Sequence, residues 1–258
     1  MSILQSIILG AIQGITEFLP ISSSGHLLLA QQLFGIPKAF AFDVLLNIGT
    51  LLALCIFFRK RLNYILQTAI KNRSFKYLTY VIVASIPTLA IGFFADSFFE
   101  RLGSYTWVIV LMLTLLGALM VLFGKAKGTR PLYKKDAVFV GAAQVLALIP
   151  GTSRSGVTIL TAINRGVNVK AATEFSFMLA IPTITAAIAH TLFFKDGINY
   201  IQNNLISVLV GNVTSFVLGA VAIKTLLNLL NRKGLAPFGW YRIALGALIP
   251  VILLFTLM

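Results

Sequence analysis

Two short polar stretches interrupt an otherwise apolar chain, 17-EFLPISSSGH-26 and 150-PGTSRSGVT-158, and both hold residue types suited to work on an anion. Just ahead of the first, Gln13 stands four residues before Glu17, so on a helix the two share a face and point toward the same place. Ser22, Ser23, Ser24 and Gly25 supply hydroxyls and a permissive backbone, and His26 follows with a ring able to act as nucleophile, acid or base. In the second stretch Arg154 lies between Ser153 and Ser155, and its planar fork matches phosphate oxygens bidentately. Gly151 and Gly156 permit close backbone approach, and Thr158 adds a hydroxyl from a helix start.

Each of these residues also has a structural reading. A serine can cap a helix, Gln13 can make a polar helix contact, and Glu17 can hydrogen-bond the loop that follows it. Arg154 can form a buried ion pair with Glu17, an arrangement compatible with a substrate-free state. For His26 the obvious partners are Glu17 or a phosphate. Ionisable side chains in apolar sequence are costly and generally line pathways or sites, which favours the functional reading for Glu17, His26 and Arg154.

The elements that must position these residues follow from composition. With 58% hydrophobic and 11% charged residues over 258 positions, the chain is not an ordinary water-soluble globule. A bilayer crossing takes roughly 20 apolar residues, and six windows qualify: 41–58, 78–95, 106–124, 174–194, 206–230 and 238–258. The N-terminal apolar run has no basic segment before it and is expected to be retained. The net charge of +14 lies in short loops between apolar segments, which argues for membrane topology and against nucleic acid. Cys55 is the single cysteine, so an intramolecular disulfide and a cysteine metal cluster are excluded; a small core residue is the plain reading.

Sliding the sequence against itself by roughly 131 to 133 positions aligns the two polar stretches, with Gln13 matching Gln144 upstream. Phe42, Leu46, Ile48 and Thr50 match Phe175, Leu179, Ile181 and Thr183, and Trp107 matches Trp240. The expected fold is therefore an all-α polytopic membrane protein: one membrane domain over 1–258, with a first repeat at 1–124 and a second, inverted repeat at 137–258. Each half reads as a re-entrant helical hairpin (about 2–35 and 137–163) plus three transmembrane helices. Three crossings per half is an odd number, so the second half runs inverted.

Basic residues agree with that scheme. The loops at 59–77, 125–136, 164–173 and 231–237 carry 15 Lys and Arg, whereas the opposite set holds only Lys38, Arg101 and Lys195. The first set is expected to face the cytoplasm. Both termini and the first hairpin then open externally, the second hairpin enters from the cytoplasm, and the two tips meet. Irregular backbone at that depth implies a polar cavity, and helix N-termini aimed into it suit an anion.

Other polar residues carry less. Asp43 and Glu174 are expected to stabilise helix N-termini. Lys224 and Arg242 are expected to snorkel or to neutralise a lipid headgroup. His190 reads as interfacial, Trp107 and Trp240 as interface anchors, and 125-KAKGTRPLYKK-135 as a topology signal.

Together, 13-QGITEFLPISSSGH-26 and 146-LALIPGTSRSGVTI-159 resemble the undecaprenyl-diphosphatase family, also called the bacitracin-resistance proteins. The similarity spans essentially the whole chain, and 174-EFSFMLAIP-182 and 240-WYRI-243 also look typical. The resemblance implies removal of one phosphate from undecaprenyl diphosphate, recycling the lipid carrier used for peptidoglycan and other cell-wall synthesis. It places the chain in the bacterial cytoplasmic membrane, with a site reached from the external side. Carried over by motif position, Glu17, Ser23, His26, Ser153, Arg154 and Thr158 are site residues.

In these terms Glu17, Ser23, His26 and Arg154 are the expected catalytic set, and Gln13, Ser22, Ser24, Ser153, Ser155 and Thr158 the expected substrate-binding set. The nucleophile is His26, Ser23 or a water. The family is usually dependent on a divalent cation and commonly has Glu where this chain has Gln13, so a two-carboxylate metal site is in doubt. Glu17 with substrate phosphates is expected to hold Mg²⁺ or Ca²⁺, which take oxygen ligands. The expected partners are the polyprenyl diphosphate lipid and the membrane, with a homodimer as an open expectation. From a different class, the inverted repeat and mid-membrane anion site also suit a transporter or flippase of phosphorylated polyprenyl lipid, which would need Arg154 but no nucleophile.

Overall fold

A computed structural model describes residues 1–125 and 128–257, with Asn231 and residues 253–257 as backbone only. Ala126 and Lys127 of the basic 125–135 stretch, and Met258 at the end of the sixth expected span, lie outside the described residues. Among the described residues there is no strand, only two isolated bridges joining Gly128 to Asn168 and Arg130 to Val167. The first helices form a hairpin, α1 (Ile3–Phe18) and α2 (Ser23–Leu33), followed by α3 (Phe40–Leu45), α4 (Asn47–Phe57) and α5 (Arg59–Lys71). Next come α6 (Lys76–Phe94), the short α7 (Asp96–Ser104) and α8 (Thr106–Phe123). A second hairpin, α9 (Lys134–Gln144) and α10 (Arg154–Asn164), has a 3-10 turn at Val145–Leu148. The chain closes with α11 (Val169–Phe194), α12 (Gly197–Asn203), α13 (Leu205–Lys233) and α14 (Ala236–Leu257).

Five segments are long and apolar enough to cross a membrane: Phe40–Phe57, Lys76–Phe94, Thr106–Phe123, Val169–Phe194 and Leu205–Leu230. The sixth expected span falls on α14, whose apolar portion within the described side chains, Ala236–Ile252, is shorter. The loops that charge alone marked out contain helices of their own, α5, α7 and α12. Large apolar side chains face outward at helical spacing, Leu111, Leu115 and Leu122 on α8 and Val213, Val217 and Val221 on α13. In water such stripes would be a liability; in lipid they are the solvated face. The protein is a multi-pass membrane protein.

Helix boundaries have local causes. Ser2 caps α1 by accepting from Gln5 N at 3.2 Å while Gln5 Oε1 accepts from Ser2 N at 2.9 Å. The helix stops at Phe18 because Leu19 precedes Pro20 and is pushed into extended backbone. The 3-10 turn ends in the same way at Ile149, before Pro150.

Packing relies on close backbone approach. The hairpin arm α1 lies along α13, α9 lies along α6, and α8 pairs with α14. A Cβ on Gly14 would stand 2.6 Å from the Ser215 carbonyl oxygen, so a larger residue would push α1 off α13. Phe18, fully buried, meets Phe177 edge-on with ring centroids 5.7 Å apart, and this fixes the rotation of α1 beside Glu17.

An ion-pair latch ties the segment before α9 to the end of α10. Asp136, 1% exposed, accepts from Arg130 Nη1 at 2.6 Å, Arg130 Nη2 at 2.9 Å, Arg165 Nε at 2.8 Å and Tyr133 N at 3.0 Å. These bonds, Arg130's foremost, hold the Asp136 carboxyl well below the usual carboxylate range. Its stabilising contribution is complete above the ordinary carboxylate pKa of about 4 and is lost as pH falls through the lower folded-state value. Asp136→Asn leaves two arginines facing a neutral amide and is expected to cost about 3 kcal/mol. A lowered thermal midpoint in detergent at neutral pH checks this, and the gap from the parent protein should narrow in strong acid.

Candidate active site

The two hairpin tips touch. Gly151 N donates to Ser24 Oγ at 3.3 Å, and Ser155 Oγ donates to the Leu19 carbonyl at 3.2 Å. Gly151 holds φ +91°, a left-handed conformation, and a Cβ there would stand 2.7 Å from the Ile109 carbonyl oxygen. Ser22 also holds a positive φ, 75°, which is strained for a residue with a side chain. That backbone turns the chain so that α2 begins at the contact, and α10 begins on the other side of it.

Glu17 is the hub. Its Oε1 accepts from Arg154 Nη2 at 2.7 Å, and its Oε2 accepts from Ser23 Oγ at 2.7 Å and Gln13 Nε2 at 3.0 Å. The pair is largely enclosed, with side-chain exposures of 11% for Glu17 and 15% for Arg154. The ion pair foreseen as the structural alternative is thus present, and it brings Ser23 and Gln13 into the same cluster. Gln13 Nε2 also donates to Asn47 Oδ1 at 2.9 Å, and Asn47 Nδ2 donates to the carbonyls of Asp43 and Val44.

The remaining expected residues divide by what holds them. Ser22 and Ser153 cap α2 and α10, accepting from Gly25 N at 3.4 Å and Gly156 N at 3.2 Å. Ser155 and Thr158 are buried; Thr158 Oγ1 donates to the Arg154 carbonyl at 2.8 Å and contacts Ser176 Oγ at 2.7 Å. Ser24 is exposed, 3.2 Å from Ser22 Oγ. His26 uses neither ring nitrogen on Glu17, one of its two foreseen partners. Nδ1 lies 2.7 Å from the Ser22 carbonyl oxygen and Nε2 lies 2.7 Å from Tyr241 Oη.

Two residues of α14 were missed or misread. Tyr241 belongs to 240-WYRI-243, a stretch marked by its family resemblance without any role given to the tyrosine. Arg242 was expected to snorkel, but it is fully buried and donates to the carbonyls of Gly151 at 2.9 Å, Met112 at 3.0 Å and Pro20 at 3.5 Å. It clasps both tips with one guanidinium, and its Nε has no partner among the described residues. The helix-rotation angle decides between snorkelling and burial, and an apolar helix of this kind has no periodicity from which to read it. Of the two acidic residues expected at helix N-termini, Asp43 stands in the first turn of α3, where it also accepts from Gln31 Nε2 at 2.8 and 2.9 Å, whereas Glu174 lies inside α11, away from its start, and pairs with Arg61. Lys224, Trp107 and Trp240 are exposed.

Among the described residues no three His, Cys, Asp or Glu side chains gather to hold a metal ion. The oxygens available are those of Glu17, Ser23, Asn47 and the Gln13 amide, whose nitrogen stands between Glu17 Oε2 and Asn47 Oδ1. Rotating that amide by a half-turn would present its oxygen there instead. Hard oxygen donors of this kind fit a divalent cation bound together with phosphate oxygens.

Comparison with known proteins gives the chain's family. The profile of the family described as Bacitracin resistance protein BacA matches residues 6–248. The chain is 36% identical over 259 residues to Undecaprenyl-diphosphatase 2 of Paramagnetospirillum magneticum, covering 97% of this chain and 99% of that protein. It is 38% identical to Undecaprenyl-diphosphatase of Bdellovibrio bacteriovorus, covering 99% of this chain and 97% of the relative. The relative of the same name from Alteromonas mediterranea is also 38% identical, over 96% of this chain and 98% of its own length. With the profile running through both hairpins and nearly to the C-terminus, the chain belongs to the bacitracin resistance protein BacA family.

Proposed function

We propose that this protein hydrolyses undecaprenyl diphosphate to undecaprenyl phosphate and inorganic phosphate, recycling the lipid carrier of bacterial cell-wall synthesis. The observation that carries the reading is the Ser23, Glu17 and Arg154 constellation at the contact of two hairpin tips, in a chain of this family. Phosphoryl transfer is catalysed mainly by positioning and charge neutralisation. Two helix N-termini, those of α2 and α10, open at the same place and favour an anion there.

The resting contacts order the steps. An entering diphosphate competes with Glu17 for Arg154, and as the guanidinium turns to phosphate oxygens the carboxylate is released from the ion pair and keeps its bond to Ser23. Glu17 then takes the Ser23 proton as Ser23 Oγ attacks the terminal phosphorus, and undecaprenyl phosphate departs. Water then attacks the phosphoserine: His26 Nε2 exchanges its resting bond to Tyr241 for the water proton, Glu17 returns its proton to Ser23 Oγ, and inorganic phosphate leaves. The 2.7 Å bond from Ser23 to Glu17 favours Ser23 over His26 as nucleophile, since both ring nitrogens of His26 are engaged elsewhere. Mg²⁺ or Ca²⁺ would be held by Glu17 and the Gln13 and Asn47 amides with substrate oxygens, and would neutralise phosphate charge when bound.

The same reading places the chain in the bacterial cytoplasmic membrane as an inverted repeat, 1–124 and 137–258, with re-entrant hairpins and a site reached from the external side. The pairing of α1 with α13 and of α9 with α6 supports it, because the repeat exchanges those two pairs. Purified protein in detergent with a divalent cation is expected to release phosphate from a C55 or shorter prenyl diphosphate, and chelation should suppress the release. No release across a range of metals would overturn the proposal. Labelled lipid crossing liposomes uncleaved would favour a transporter instead.

A further inference from the structure

His26 is oriented from two sides, and only one of them belongs to its own hairpin. The Ser22 carbonyl oxygen, 2.7 Å from Nδ1, can only accept, so Nδ1 bears a hydrogen. In the neutral ring Nε2 is then the bare, basic nitrogen, and the one hydroxyl against it is Tyr241 Oη at 2.7 Å. The two rings are parallel, 1° apart in plane with centroids separated by 5.6 Å, so the bond runs along the ring planes toward the Nε2 lone pair. Tyr241 is carried by α14, 215 positions away in sequence. Its neighbour Arg242 is locked to the carbonyls of both hairpin tips, which fixes the helix that presents the hydroxyl.

We propose that Tyr241 is a positioning residue for His26, its hydroxyl donating to Nε2 in the resting protein and so setting the place of the imidazole, whose Nε2 exchanges that bond for a proton of the attacking water during turnover. The proposal rests on the phosphatase reading above but makes a claim about the imidazole that stands without it. Tyr241, 46% exposed, is otherwise a poor candidate for a conformational anchor, and Arg242 makes no contact that depends on the phenol oxygen. Losing the hydroxyl while keeping the ring therefore removes one hydrogen bond and little packing.

The chain has two histidines, so His190→Gln leaves His26 as the sole imidazole. In that background, protein labelled with ¹⁵N-histidine in detergent micelles is expected to show a bare nitrogen shifted by hydrogen bonding. Tyr241→Phe should move that resonance toward the position of a free imidazole nitrogen. In phosphate release from a prenyl diphosphate, Tyr241→Phe is expected to lower kcat about tenfold or more with KM within about twofold, and Tyr241→Gln, which restores an N–H donor, should recover part of the loss. An unmoved ¹⁵N resonance would overturn the bond, and a moved resonance with unchanged kcat would overturn the positioning role. If the parent protein releases no phosphate at all, the phosphatase reading fails, while the resonance still decides whether Tyr241 holds the ring.

Discussion

Arg154→Ala is expected to lower phosphate release by about a thousandfold, because arginines that neutralise a transferring phosphoryl group carry effects of that size. The guanidinium has two duties here. In the resting protein it balances Glu17, with Nη2 on Oε1 at 2.7 Å in a setting where both side chains are mostly enclosed. During reaction it is the nearest cation able to take up phosphate oxygens. Alanine removes both, leaving a carboxylate without its counter-charge beside an incoming anion. The two anions then repel, so substrate binding should weaken along with kcat.

Arg154→Lys separates the duties. A lysine restores a positive charge near Glu17 but presents a point charge in place of the planar fork. It should recover folding stability almost fully and turnover only in part. Thermal midpoints in detergent and steady-state phosphate release measure the two effects. Alanine activity within tenfold of the parent protein would remove the clamp from the scheme.

What could be read from residues alone follows from where they stand. Glu17 and Arg154 were legible because a charge inside an apolar stretch has few explanations, and the alternative of a direct ion pair was visible for the same reason. The hairpins were legible from Pro20 and Pro150 with the serines and glycines around them. Arg242 met the same criterion as Arg154 yet was assigned to the surface, because its position near the start of an apolar span allowed snorkelling equally well. Tyr241 lay in the family-like stretch 240-WYRI-243, but nothing there gave it a role. A tyrosine beside a tryptophan at a span end looks like an interfacial anchor, and its bond to His26 depends on the rotation of α14 against α8. The short helices α5, α7 and α12 were hidden because the loops on both sides were read for topology, where only charge counts.

Glu17→Gln and Ser23→Ala are expected to lower turnover by about a hundredfold to ten-thousandfold each, the range for losing a positioned acid, base or nucleophile. The glutamine keeps the shape of Glu17 and still accepts from Ser23 or Arg154 through its one oxygen, but it cannot take a proton. It also leaves Arg154 without an anion in the resting state, which should tighten binding of substrate or phosphate while slowing turnover; a fall in KM alongside the fall in kcat is the signature. Ser23→Ala decides the nucleophile. If Ser23 Oγ attacks and Glu17 serves it, the two act as one unit, and the double variant should be no slower than the slower single variant. If water attacks with Glu17 as its base, Ser23 contributes only the 2.7 Å bond that orients the carboxylate. The serine variant then loses about tenfold, and the double variant falls to the level of Glu17→Gln alone. Trapping of a phosphorylated Ser23 by rapid acid quench would distinguish the routes directly, since only attack by the hydroxyl leaves phosphate on the protein.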